Sequence, residues 1–361
     1  MTKQEISKAD FEKYKRQIVL NEVGTDGQLK ISNARVLVIG AGGLSCPALQ
    51  YLVGAGVGTI GIVDYDVVNL CNLHRQILYR PEDVNQPKAQ IAAKKLKTLN
   101  PEVVILPYEF KLSSANALEL IKNYDLVVDG SDSFSTRYLV NDACLILNKP
   151  FVFGAIYKFL GQLAVFNYKN GPTYRCAFPE QPEQNDIPNC STIGVLGSLT
   201  GIIGSMQANE ALKIILENQD VLSGKLMQLN TLSYDFDLID IEKDPKYSNI
   251  TELGSYGSES CEIKEIKRIT AKELSNLIET GKAPLIYNLS YSDSPKKLIK
   301  SAINVDTEDL LLGKIPMPDD KTIVLVCEYG VQSESIAEYL QNTYNKENIY
   351  SLKEGTLGWN Y

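Results

Sequence analysis

Short apolar runs separated by amphipathic stretches fill the first half of the chain. Residues 36–39, 59–63, 103–107, 125–129 and 151–154 each read as a buried strand. Between the second and third of these, residues 88–99 set Ala89, Ala92, Ala93, Leu96 and Leu99 at helical spacing, which predicts a helix with one face on a sheet. Alternation of this kind from Arg35 to about Phe166 predicts a parallel sheet wound with helices. The pattern changes after Ile156. GQLAVFNY reads as a further strand, and residues 170–192 are rich in Pro, Gln and Asn without periodicity, as functional loops often are. From Gly194 the small residues Gly197, Gly201 and Gly204 predict a helix that approaches other backbone closely and continues through 208–216. Residues 247–260, YSNITELGSYGSES, have few aliphatics and predict a linker. Beyond Cys261, a helix over 271–280, strands over 284–289 and 322–327 and a helix over 333–342 predict a second, smaller α/β unit. The expected organisation is a domain over 1–246, a linker over 247–263 and a second domain over 264–361.

Composition agrees with two domains. The 361 residues are 44% hydrophobic, enough for two cores. A net charge of −8 argues against a general nucleic-acid or membrane surface, because phosphate binding needs clustered Lys and Arg. The N-terminus, MTKQEISKADFEKYKRQ, lacks the apolar core of a signal peptide, so a cytoplasmic location is expected. The longest apolar stretch, 193–206, is too short to span a bilayer and reads as a buried helix. Cys46, Cys71, Cys144, Cys176, Cys190, Cys261 and Cys327 are scattered with no C-x-x-C pair, which suggests neither a disulfide framework nor a structural zinc. The only histidine is His74, so most chemistry that needs a His base becomes remote.

One segment carries the strongest chemical signal. Strand 36–39 runs into Gly40-Ala41-Gly42-Gly43-Leu44-Ser45 and then a helix, the context of a phosphate-binding turn. Asp64 ends the next strand, 24 residues after Gly40, where a carboxylate accepts hydrogen bonds from a ribose. Asp66, Asn69, Asn72, Arg75 and Gln76 then crowd together, followed by Pro87-Lys88. Hydride transfer has no use for such a polar cluster, whereas polarising a triphosphate does. Asp129-Gly130-Ser131-Asp132 ends a further strand, where ligands of open α/β sheets collect. Asp132 is therefore a candidate Mg²⁺ ligand, and the alternative is a helix N-cap.

The order KYKRQI (13–18), GAGGLSCP (40–47), GIVDYDVVNLCNLHRQ (61–76), PK (87–88), DGSDSFSTRYLVND (129–142), YRCAFP (174–179) and GVLGSLTGIIGSMQANEALK (194–213) resembles the family of MoeB, ThiF and the ubiquitin-activating enzymes. The resemblance covers about residues 10–245. It implies a Rossmann-like adenylation domain with a mixed sheet, a homodimer, and ATP with Mg²⁺. It further implies that Asp64 holds the ribose, that Arg75 and Lys88 face the phosphates, and that Asn72 and Gln76 line the site with Asp66. Asp132 then coordinates Mg²⁺, and Arg16 matches an arginine supplied to the partner subunit's nucleotide. Its alternative is a solvated helix charge. Adenylation needs no side-chain base, since a terminal carboxylate is already ionised at neutral pH. Cys190, before the glycine-spaced helix, matches a family cysteine proposed to bond the carrier covalently; its alternative is a packing thiol. Family members commonly hold zinc through two C-x-x-C pairs; here only Thr173 and Cys176 match the first, and KDPKYSN replaces the second, so no structural zinc is expected.

The C-terminal CEYGVQS (327–333) and the ending NIYSLKEGTLGWN resemble rhodanese sulfurtransferases over about residues 264–361. The resemblance implies Cys327 as a sulfur-carrying thiol. Gln332 stands where a loop arginine is common, and Asn288-Leu289-Ser290 replaces an acidic-basic pair. The domain therefore reads either as an active sulfurtransferase or as a docking module. The whole chain reads as an adenylyltransferase for a ubiquitin-fold sulfur carrier ending in Gly-Gly, with a cysteine desulfurase as a possible sulfur donor. The molybdopterin-synthase carrier comes first, and thiamine-pathway and tRNA-thiolation carriers follow. Peptide ligation, ring closure on an RNA base and a non-catalytic nucleotide-binding scaffold are the competing readings.

Overall fold

The structure is a computed structural model and describes residues 3–181, 194–256, 266–281, 283–289, 299–344 and 346–360. It divides into two compact units, one holding the chain up to Gln181 and again from Val195, the other the C-terminal stretch. The first unit comprises α1 (Lys8–Ile18), α2 (Gly24–Asn33), β1 (Arg35–Ile39), α3 (Ser45–Ala55), β2 (Thr59–Val63), α4 (Lys88–Leu99), β3 (Val104–Tyr108), α5 (Ala117–Ile121), β4 (Leu126–Asp129), α6 (Phe134–Ile146), β5 (Phe151–Tyr157), β6 (Leu160–Phe166), α7 (Tyr174–Ala177), α8 (Gly197–Ile215), β7 (Lys225–Asn230) and β8 (Phe236–Asp240). Its strands form one sheet in the order β3-β2-β1-β4-β5-β6-β7-β8. The first five are parallel and the rest antiparallel, so the sheet is mixed.

Strand residues alternate between two cores. Val36, Val38, Ile60, Ile62, Val128 and Val152 pack with α3, α4 and α8 on one face. Leu37, Ile39, Val63, Val127, Phe151 and Phe153 pack with α5 and α6 on the other. Helices thus leave β1 and β4 toward opposite faces, which opens a crevice between those strands at their C-terminal ends. Strand register sharpens this: Ile39 is paired with Val63 on one side and with Asp129 on the other. Gly40, Asp64 and Gly130, the next residues of the three strands, therefore leave the sheet at one level.

Helix α8 is buried along Leu199, Ile203, Gln207, Ala208 and Ala211 and packs closely on α3. The close approach expected of its glycines is real at two positions. A Cβ at Gly204 would lie 2.1 Å from the Leu44 carbonyl oxygen, and one at Gly197 would lie 2.4 Å from that of His74. Gly201 departs from the expectation, because its Cβ position has nothing within 4 Å. Helices α1 and α2 precede the alternating region that begins at Arg35 and add to the elements expected from it. Helix α1 is capped by the Ser7 hydroxyl, which accepts the Asp10 N–H at 3.0 Å, and buries little beyond Asp10, Tyr14 and Ile18. Tyr14 accepts a hydrogen bond from Asn100 at 2.8 Å, which seats α1 at the C-terminal ends of α3 and α4.

Part of the expected linker is anchored instead of free. Tyr256 is 7% exposed, and its hydroxyl donates to Asp142 at 2.9 Å. Arg175 meets both oxygens of the same carboxylate at 2.8 Å, so one buried charge holds the start of α7 and the end of this segment. The Tyr174 ring packs among Phe153, Phe166, Phe178 and Tyr138. Beside it the Cys176 sulfur accepts the N–H groups of Thr173 and Asp244, each at 3.4 Å. These contacts hold the corner at which the resemblance would place cysteine pairs.

The second unit consists of β9 (Arg268–Ile269), α9 (Ala271–Glu279), β10 (Leu285–Asn288), β11 (Ile303–Asn304), α10 (Thr307–Leu311), β12 (Ile323–Val326), α11 (Val331–Thr343) and β13 (Ile349–Leu352). All pairs of its sheet, ordered β11-β10-β12-β13-β9, are parallel. Thr270 and Glu273 form a capping box that starts α9. Among the described residues, no helix is long and apolar enough to cross a membrane.

The two α8 glycines give a paired prediction. Gly204→Ala drives a methyl group into the Leu44 carbonyl and should lower unfolding stability by about 2–3 kcal/mol, an overpacking cost. Gly201→Ala meets open space and should be neutral or raise stability by up to about 1 kcal/mol through helix propensity. Urea unfolding of both variants checks the contrast.

Candidate functional site

The glycine-rich turn after β1 is built for close approach. Gly40 has φ +84°, and a Cβ there would lie 3.1 Å from the Gly130 carbonyl oxygen, so the turns after β1 and β4 touch. Gly43 abuts Thr200 of α8, with 3.0 Å between its Cβ position and Cγ2. Helix α3 then starts with no side-chain cap and no acidic residue in its first turn. The Cys46 N–H closes back on the Gly42 carbonyl at 3.0 Å and Pro47 has no N–H, so what the helix itself offers an anion is the positive end of its dipole.

Asp64 is fixed at the edge of this turn. One carboxylate oxygen accepts the Ala41 N–H at 2.7 Å and the other the Asp66 N–H at 2.8 Å. Each oxygen keeps a lone pair for another donor. Burial pushes the Asp64 carboxyl above the usual range, against the pull of the Lys88 ammonium. Lys88 opens α4, is 5% exposed, and donates to Asp66 Oδ2 at 3.0 Å. The expected phosphate cation and the expected acidic residue are thus brought together as a pair, Asp66 being the exposed member.

Arg75 and its neighbours form the opposite wall. Its guanidinium donates to Asn72 Oδ1 at 3.0 Å and lies 2.7 Å from the His74 Nε2. The Arg75 backbone is pinned by the Thr200 hydroxyl, which donates to its carbonyl at 3.3 Å. Burial and the Arg75 charge lower the His74 pKa, so this imidazole stays neutral at neutral pH. Gln76 is buried, its amide nitrogen lies 3.8 Å from the Cβ position of Gly42, and its Oε1 finds no partner among the described residues. An orphaned acceptor beside the turn points to a ligand or water that completes it.

The turn after β4 carries Asp132, which is exposed. The helix cap is Ser133, whose hydroxyl accepts the Thr136 N–H at 3.4 Å, so the capping alternative for Asp132 falls away. Arg16 lies elsewhere in the chain. It is exposed on α1, at the far ends of α3 and α4, and α3's eleven residues put about 16 Å between its C-terminus and the glycine turn. The structure does not bring Arg16 into its own chain's site. Cys190 lies outside the described residues.

Tyr79, Asp129, Arg137 and Gln207 were given no role from sequence. Tyr79 is buried, and its hydroxyl donates to the carbonyls of Ala41 at 2.8 Å and Lys88 at 3.3 Å, tying the glycine turn to the start of α4. Asp129 and Arg137 lie within the DGSD and TR segments. Their signal was a pair of charges on elements that must be buried.

In the second unit, Cys327 follows β12 and is 3% exposed. Its sulfur accepts the Ser333 N–H at 3.3 Å and meets the Ser333 hydroxyl at 3.4 Å. Thr356 and Leu357 donate backbone N–H groups to the carbonyls of Cys327 and Glu328, which closes the loop from below. Gly330 takes φ +83°, and its Cβ position lies 2.9 Å from two backbone nitrogens, so only glycine fits. At the site of the missing acidic-basic pair, Asn288 donates to Asn304 Oδ1 at 2.7 Å.

Comparison with known proteins gives a consistent picture. The profile of the ThiF family matches residues 14–249, and that of the rhodanese-like domain matches residues 270–361. The Mycobacterium tuberculosis protein named probable adenylyltransferase/sulfurtransferase MoeZ is 36% identical over 374 aligned residues, covering 98% of this chain and 94% of that one. The sulfur carrier protein adenylyltransferase of Thermus thermophilus is 48% identical over 245 residues, 66% of this chain and 90% of that one. An adenylyltransferase and sulfurtransferase of Culex quinquefasciatus is 36% identical over 368 residues, 94% of this chain and 84% of that one. Among solved structures, E. coli MccB with ATP shares the fold, with a TM-score of 0.58 and 18% identity over 67% of this chain and 74% of that one.

Thiol exposure yields a direct check on the second unit. Among the described cysteines, Cys71 is exposed, Cys176 half-buried, and Cys46, Cys144 and Cys327 buried. Burial pushes the Cys46 thiol up to about 12 and the Cys144 thiol further, so neither forms thiolate at neutral pH. Alkylation of the native protein, followed by peptide mass spectrometry, should label Cys71 first and Cys327 at least about tenfold more slowly. Equal rates at Cys71 and Cys327 would contradict the buried sulfur.

Proposed function

Since this chain belongs to the ThiF family and carries a rhodanese-like domain after it, we propose that it adenylates the C-terminal carboxylate of a ubiquitin-fold sulfur-carrier protein. The observation that carries this reading is the convergence of the glycine turn, Asp64 and the Asp132 turn at one level of adjacent parallel strands, with Lys88 and Arg75 beside them. The domain over 1–246 performs the adenylation and that over 264–361 serves sulfur delivery. The name of the Thermus thermophilus relative supports a sulfur carrier as substrate.

In this reaction a carboxylate oxygen of the carrier bonds to the α-phosphorus of ATP. The bond from that phosphorus to the oxygen bridging to the β-phosphate breaks, and pyrophosphate leaves with the electron pair. No side chain has to remove a proton. Asp64 holds the ribose hydroxyls, the α3 N-terminus and Lys88 hold the phosphates, and Arg75 with Asn72 and Gln76 lines the acyl-phosphate side. Mg²⁺ bound with the nucleotide supplies charge neutralisation, and Asp132 is the residue that would hold it. No three acidic, Cys or His side chains converge among the described residues. That donor set suits an ion shared between one carboxylate and the substrate's own phosphates.

Arg16, exposed and distant from its own chain's turn, acts on the nucleotide of a partner protomer in a homodimer. The first carrier to test is that of molybdopterin synthase, followed by thiamine-pathway and tRNA-thiolation carriers. Sulfur arrives through Cys327, with a cysteine desulfurase as donor, and Cys190 is the residue for covalent transfer in the adenylation domain.

Purified protein with ATP and Mg²⁺ should release pyrophosphate only when a Gly-Gly-ending carrier is added, and Asp132→Ala should slow this about a hundredfold. No release with any carrier would contradict the reading. Acidification supplies a second check: because the Asp64 carboxyl lies above the usual range, it takes up its proton earlier than an ordinary aspartate as pH falls. The loss of ATP affinity in Asp64→Asn should therefore be larger at neutral pH and shrink as pH falls, read by nucleotide titration.

A further inference from the structure

In the turn that presents Asp132, four of the preceding backbone groups are held by hydrogen bonds. The Asp129 carbonyl accepts a hydrogen bond from the Gln207 side chain at 2.6 Å, and the Gly130 N–H donates to the Ile39 carbonyl at 2.9 Å. The Ser131 peptide groups are gripped by two buried ionisable side chains. Its N–H donates to Asp129 Oδ1 at 3.0 Å, and its carbonyl accepts from Arg137 Nη2 at 3.2 Å. Asp129 is 0% exposed and Arg137 is 6% exposed. The Arg137 guanidinium lies over the rings of Phe134 and Phe153, at 5.0 and 5.5 Å from their centroids, which fixes its plane.

Such an arrangement is expensive for mere folding, because two ionisable groups are withdrawn from water and burial pushes the Asp129 carboxyl above the usual range, against the pull of the Arg137 guanidinium. Both also keep unspent capacity: Asp129 Oδ2 and Arg137 Nε find no hydrogen-bond partner among the described residues. The only exposed carboxylate on this turn is Asp132, one residue beyond the gripped peptide.

We infer that Asp129 and Arg137 are positioning residues that hold the Ser131 peptide so that Asp132 meets a nucleotide-bound Mg²⁺ in a fixed geometry. This rests on the adenylation reading and extends it. The pair contacts neither substrate nor metal; it acts through the backbone. Loosening it leaves the glycine turn and Asp64 in place and blurs Asp132, so ATP without metal should bind as before while the benefit of adding metal is lost.

The test uses the full chain, a fluorescent methylanthraniloyl ATP as probe, and titrations in EDTA and in Mg²⁺. Asp129→Asn keeps the acceptor for Ser131 and removes the charge opposite Arg137; Arg137→Gln removes the guanidinium, and Arg137→Lys retains a cation. Asp129→Asn and Arg137→Gln should keep metal-free affinity within about twofold and lose most of the Mg²⁺-dependent gain, with Arg137→Lys intermediate and the Mg²⁺ needed for half-maximal binding raised about tenfold. Should Arg137→Gln fail to fold by circular dichroism, Asp129→Asn and Arg137→Lys decide the matter. A wild-type Mg²⁺ gain in folded variants overturns the positioning role, as does equal loss with and without metal, which is what a purely structural pair would give. A wild type that binds no ATP at all overturns the adenylation reading along with it.

Discussion

The parallel register of β1, β2 and β4 is the constraint on which the rest of this site depends. Pairing Ile39 with both Val63 and Asp129 ends three strands together, and the next residues, Gly40, Asp64 and Gly130, must then share one rim. Contact between the first and third turns is permitted only because neither carries a side chain at the point of approach. Helix α8 completes the arrangement from the other direction, since Gly204 lets it lie on the Leu44 carbonyl and Thr200 then reaches both the glycine turn and the Arg75 backbone. Backbone proximity, more than any single side chain, is what brings the polar residues of three separate segments to one rim.

Placing so many charges there works against stability. Lys88, Asp129 and Arg137 are all nearly buried, and withdrawing an ionisable group from water costs several kcal/mol in its charged form unless partners are provided. The partners are Asp66 for Lys88, the Ser131 peptide for Asp129 and Arg137, and the faces of Phe134 and Phe153 for the guanidinium. Orphaned atoms remain on Gln76, Asp129 and Arg137. Such orphaned atoms are what a preorganised site holds ready for a ligand.

Much of this was legible in the sequence, because it is local. The strands at 59–63 and 125–129, the 88–99 helix and the turn at Gly40 follow from periodicity and from glycine placement, and the structure reproduces them closely. Asp64 was marked by its distance from that turn, and Lys88 by following the polar cluster and by the family resemblance. What escaped detection depends on tertiary contact. Ser133, not Asp132, caps α6, a choice between neighbouring residues that spacing cannot make. Arg137 reads as an ordinary helix charge until burial shows otherwise. Gly201 shares the spacing of Gly197 and Gly204 yet faces open space, because a stripe of glycines does not say which of them meets backbone. Tyr256 sits in a stretch of linker composition and is held by one hydrogen bond to a carboxylate 114 residues earlier.

The second unit shows the same division between pattern and contact. Its two longer helices and the strands β10 and β12 were readable, as was the loop that begins at Cys327, whereas β9, β11, α10 and β13 were not. The sulfur is met by Ser333 six residues on, whereas the closure of the loop by the Thr356 and Leu357 N–H groups depends on a segment more than twenty residues away. The most direct test of the central claim is the mass of the carrier itself. After incubation with this protein, ATP and Mg²⁺, and rapid quenching, mass spectrometry should find the carrier heavier by one AMP at its C-terminal glycine, with the increment absent when Lys88→Ala replaces the wild type. An unmodified carrier, with ATP intact or split to ADP and phosphate, would contradict adenylation at this site.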